Sequence, residues 1–97
     1  DAAMAREVAA QQLAMYLVMP NYRNCWLSLG FTEDDLSGQG SPRFLDAMVA
    51  WGNEKAIRAR LQAHFDAGAD HVAIQPFDPN GGSSPSWNAL AAFAPDQ

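Results

Sequence analysis

Apolar residues recur at helical spacing over most of this chain. Met4, Val8, Met15 and Met19, widened by Leu13, Tyr16 and Leu17, predict a helix over 2–19 with a broad apolar face. Pro20 ends it, because the residue before a proline is driven out of the α region. Asn21–Gly30 is polar and aromatic and reads as one or two helical turns closed by Gly30. Thr32, with Asp35 three residues on, has the spacing of a capping box for a short turn, Glu33–Leu36. After the loop Ser37–Gly40, Ser41-Pro42 opens a helix over 42–51 whose apolar side is Phe44, Leu45, Met48, Val49 and Trp51.

Asn53 caps a helix over 53–67, with Ile57, Leu61 and Phe65 on one face and Lys55, Arg58, Gln62 and Asp66 on the other. Glu54 and Arg58 are spaced to pair across one turn, and Gly68 supplies the stop. The run His71–Phe77 has a short, continuous apolar centre and predicts a strand over 71–77 buried on both faces. Asp78–Ser84 is turn-rich, and Ser84 or Ser86 can cap a last helix over 85–94. A lone strand of parallel type has two unpaired edges. Its partners, on this reading, lie outside these 97 residues, which also suits the start at Asp1 within a helical pattern.

Composition narrows the classes. With 48% hydrophobic and 18% charged residues the chain can bury a core, unlike a disordered tail. Eleven acidic against six basic residues give a net charge of −5, which repels phosphate backbones and argues against nucleic acid. The single cysteine, Cys25, excludes an intrachain disulfide framework. No run approaches the ~18 apolar residues of a membrane span, and Asp1–Met19 lacks the basic start of a signal peptide. A cytoplasmic protein is the expectation.

Two stretches carry a resemblance. Trp51-Gly52-Asn53-Glu54-Lys55-Ala56-Ile57, continuing through Asp66-Ala67-Gly68-Ala69-Asp70-His71-Val72-Ala73-Ile74-Gln75, resembles the C-terminal signature of the luciferase-like monooxygenase family. Pro20-Asn21-Tyr22-Arg23-Asn24, Trp26 and Leu29-Gly30-Phe31-Thr32-Glu33-Asp34-Asp35-Leu36 resemble its subgroup of F420-dependent oxidoreductases. The likeness runs over nearly the whole chain in one order. It departs where the family often has Thr-Pro and this chain has Asn53-Glu54. The resemblance implies an α/β fold: the C-terminal fragment of a (β/α)8 TIM barrel, mostly helical in this portion, from a domain of roughly 250 residues. It implies hydride transfer between coenzyme F420, or alternatively FMN, and an organic substrate. The cofactor is held mainly by residues upstream, so these 97 residues alone are expected to be inactive. The implied partners are the rest of the barrel or a second copy in a homodimer.

In such barrels the active site lies at the C-terminal strand ends, which points to Gln75; its alternative is a satisfied rim amide. Asn21, Tyr22, Asn24 and Trp26 gather hydrogen-bonding and stacking groups on an irregular segment, and are pocket candidates for substrate or cofactor. Their alternative is packing by Tyr22 and Trp26. Asn80-Gly81-Gly82-Ser83 has the look of an anion cradle, opposed by Asp78. His64 and His71 offer no recognised metal spacing and no clear base for Cys25, so no metal and no catalytic residue is assigned. A second reading makes the chain an independent helical interaction domain, dimerising through Ala2–Met19 without catalysis.

Overall fold

A computed structural model describes residues 1–78 and 86–94. Six helices form among them: α1 (Ala2–Leu17), α2 (Pro20–Ser28), α3 (Glu33–Leu36), α4 (Pro42–Met48), α5 (Glu54–Asp66) and α6 (Trp87–Phe93). The chain divides into two compact units, Asp1–Ala50 and Trp51–Gln97.

Local chemistry explains where the helices start. The Asp1 carboxylate accepts from the N–H groups of Ala3 and Met4 at 2.9 and 3.4 Å, opening α1. Thr32 and Asp35 form the reciprocal capping box of α3. The Ser41 hydroxyl accepts from Phe44 N–H at 3.1 Å, and Pro42 sits in the first turn of α4, where its missing donor costs nothing. Asn53 accepts from Ala56 N–H at 2.9 Å at the start of α5, and Ser86 from Ala89 N–H at 3.3 Å at the start of α6. Two helices end in the same way. Phe31 N–H reaches Trp26 O and Gly30 N–H reaches Leu27 O after α2; Ala69 N–H reaches His64 O and Gly68 N–H reaches Phe65 O after α5.

In the first unit α1 packs on α2 and α4, and α3 on α4. The core is Ala9, Ala10, Leu17, Trp26, Leu36, Phe44 and Leu45, flanked by Leu13, Tyr16, Leu27, Phe31, Met48 and Val49. Arg6 clamps α1 to α4 through a two-pronged contact with Asp46, Nε at 3.0 Å and Nη2 at 2.7 Å. The core-facing side of α1 keeps Leu13, Tyr16 and Leu17 of the predicted stripe but differs in the rest. Ala9 and Ala10 are buried, whereas Met4 and Met15 are exposed. Small side chains let neighbouring helices approach α1 closely, so the alanines take the inner face although longer residues carry more apolar area.

The second unit contains α5 and α6, joined through Arg58. Its Nε donates to Glu54 at 3.0 Å and its Nη2 to the Ala92 carbonyl at 2.5 Å, with the guanidinium 5.0 Å from the Phe93 ring centre.

The expected strand does not form. Residues 71–76 take no regular structure, and no sheet exists among the described residues. The expected α/β barrel fragment is therefore replaced by an all-helical arrangement. A strand is satisfied only by a neighbour's backbone groups, and the described chain supplies no neighbouring strand to Val72-Ala73-Ile74. What it supplies is one bond at the end of the run, from Ser86 N–H to the Pro76 carbonyl at 3.4 Å. The helices also stop short of the predicted limits, α1 at Leu17 rather than 19 and α4 at Met48 rather than 51. Among the described residues no helix is long and apolar enough to cross a membrane.

Candidate functional site

Four of the five candidate residues lie on α2, where the helical turns expected before Gly30 form one continuous helix. Pro20 fits its first turn and Arg23 holds it in place, donating to the Leu17 carbonyl at 3.2 Å and pairing with Glu33. Helical spacing then divides the candidates. Asn21, Tyr22 and Asn24 are exposed, while Trp26 is buried. The structure brings Tyr22 and Trp26 together, ring centres 5.9 Å apart one helical turn from each other. Trp26 meets Phe44 edge to face at 4.8 Å, so its face is filled by protein. Gln75 belongs to the second unit and is exposed in the segment without regular structure. The glycine-rich stretch 80–83 lies outside the described residues.

Three of these positions lie on an exposed helix surface, which does not by itself enclose a deazaflavin or flavin. Such a ring needs a concave site that buries most of it. Asn21, Tyr22 and Asn24 instead stand on an open helix surface, and the one buried ring among the candidates is already packed. Among the described residues, no group of three His, Cys, Asp or Glu side chains could hold a metal ion.

The most developed polar cluster was not among the candidates. It centres on Asp35, buried at the α3–α4 junction. Its carboxylate accepts from Thr32 N–H at 2.9 Å, the Thr32 hydroxyl at 3.2 Å, the Ser41 hydroxyl at 2.7 Å and Arg43 Nη1 at 2.5 Å. Arg43 also lies 4.9 Å from the Phe31 ring centre and donates to the Gly30 carbonyl at 3.4 Å. The capping spacing pointed to Asp35 as a helix cap; the reach of Ser41 and Arg43 to it depends on the turn between α3 and α4.

Both carboxylate oxygens of Asp35 are engaged, three donors on Oδ2 and one on Oδ1, so the cluster ties the α3–α4 junction together. The Thr32 backbone N–H and then the Ser41 hydroxyl hold its pKa below the ordinary 3.8, against the opposing effect of burial. A carboxylate lowered in the folded state adds stability above its unfolded pKa, and that stability is lost as pH falls through the folded value. Asp35→Asn should therefore flatten the acid side of the stability curve. Urea midpoints followed from neutral pH to below 3.8 test this; a variant with the wild-type acid slope would refute it.

No protein-family model, curated protein or solved structure matches the chain.

Proposed function

We propose that the chain is the C-terminal portion of an F420-dependent oxidoreductase of the luciferase-like monooxygenase family. The whole enzyme would transfer hydride between the deazaflavin and an organic substrate, with FMN as the alternative cofactor. This portion contributes packing surface, and the cofactor is held elsewhere in the polypeptide. Two things support the reading. One is the ordered resemblance of residues 20–36 and 51–75 to that family. The other, which carries the argument, is that the second unit has no buried hydrophobic residue among those described. Ile57 and Leu61 are only half-covered, Phe65 and Ile74 are exposed, and Trp87 is 72% exposed. Apolar surface left open in this way is normally covered by more protein.

The test is to isolate the native polypeptide that contains these residues, weigh it intact, and titrate it with F420 and with FMN. The expected result is a mass well above 10.5 kDa and saturable binding of F420. A native polypeptide of 10.5 kDa, or a longer one that binds neither cofactor, would overturn the proposal.

A second reading, self-association through α1, is favoured by one observation. Met4, Val8, Gln11 and Met15, followed by Val18 at the helix end, recur at alternating four- and three-residue steps, the spacing of a two-helix seam. Met15 is 59% and Val18 77% exposed. Sedimentation of the 97-residue chain distinguishes the readings, since this one requires a dimer that Met15→Glu dissociates.

A further inference from the structure

We infer that Trp26 and Tyr22 form a one-electron relay that carries an oxidising equivalent from the buried indole of the first unit to a phenol at its surface. The rings are in sequence. Trp26 lies 5.9 Å from Tyr22, and Tyr22 lies 4.9 Å from Tyr16, edge to face. Behind Trp26 the line continues only into Phe44 and Phe31, whose rings are far harder to oxidise. Both tyrosines of the chain belong to this line, and Trp26 is the only tryptophan of its unit.

Burial sets the direction. Trp26 is 7% exposed and Tyr22 39% exposed. A neutral indolyl radical is a strong enough oxidant to take a hydrogen equivalent from a phenol at neutral pH. Tyr22 can release its proton to water, and a return proton reaches the indole nitrogen. Rings at these separations are close to contact, so electron transfer between them outruns the slow reactions that destroy an indolyl radical.

The balance is as follows in a solution holding carbonate radical anion and ascorbate. Trp26 loses one electron and its N–H proton, and the carbonate radical anion becomes bicarbonate. The indolyl radical then regains an electron and a proton as Tyr22 loses one of each, which restores the indole and leaves a phenoxyl radical. Ascorbate gives that radical a hydrogen atom and becomes the ascorbyl radical. The consequence is protection of the core, because oxygenation of Trp26 would put a larger, polar ring against Phe44.

The experiment uses the whole chain carrying Trp51→Phe and Trp87→Phe, so that Trp26 is the only indole. A laser flash at the red edge of the absorption, where indole alone absorbs, generates the Trp26 radical directly. The expected result is first-order decay of the indolyl band with matching growth of the phenoxyl band, at a rate independent of protein concentration. Tyr22→Phe keeps the ring and its packing and should slow that growth by an order of magnitude or more; Tyr16→Phe should leave the first step unchanged. Circular dichroism of each variant confirms the helices. Growth that persists at the original rate in Tyr22→Phe, that scales with protein concentration, or that is absent in the parent overturns the relay.

Discussion

Phe44→Ala should cost the first unit about 3–5 kcal/mol, the range for removing a buried aromatic side chain, and so abolish its cooperative unfolding. Among the described residues Phe44 is the one large side chain with 0% exposure. It receives Trp26 at 4.8 Å and Phe31 at 5.4 Å, both edge to face, and thereby joins α2, the turn after it and α4. Whole domains are stable by only about 5–15 kcal/mol, and a unit of this size sits low in that range. Urea unfolding followed by Trp26 emission, in the background lacking Trp51 and Trp87, reads the effect. A sigmoidal transition with an unchanged midpoint would contradict the central place of this ring.

Gly40→Ala should be the next most damaging change, for a backbone reason. Gly40 has φ +96°, outside the comfortable range of an L-residue, at a cost of about 1–2 kcal/mol. The added Cβ would also lie 3.0 Å from Phe44 Cδ2 and 3.3 Å from Leu45 Cδ2. Both are core atoms with little room to retreat, and overpacking of this kind costs about 1–3 kcal/mol. Gly38, two residues earlier at φ +63°, would meet nothing within 4 Å. Gly38→Ala should therefore show the smaller loss, and the difference between the two midpoints measures the crowding together with the less favourable φ at Gly40. Equal losses would show that neither the approach to Phe44 nor the larger φ matters at Gly40.

The helix starts were legible because each depends on residues within one turn of each other. Thr32 with Asp35, Ser41 with Pro42 and Asn53 before Glu54 carry their own hydrogen-bond partners, and each cap is found where spacing placed it. The segment His71–Phe77 was misread because a strand is a relation between segments. Its apolar centre satisfies the pattern, yet no described neighbouring strand pairs with Val72-Ala73-Ile74. The candidate site was legible only in part. Four of its five residues lie on one segment, but the split of Asn21, Tyr22 and Asn24 from Trp26 follows from the periodicity of α2 as one continuous helix.

By itself the sequence determined the helical punctuation, the acidic charge, the absence of a disulfide and the pairing of Glu54 with Arg58, all of them local or compositional properties. Tertiary structure alone decided which face of α1 turns inward, that Ser41 and Arg43 converge on Asp35, and that Trp26 is enclosed between Tyr22 and Phe44. Each is a relation between segments: the turn between α3 and α4 brings Ser41 and Arg43 to Asp35, and because apolar residues surround much of α1, periodicity permits more than one inner face. Only the close approach of α2 and α4 to Ala9 and Ala10 selects among them.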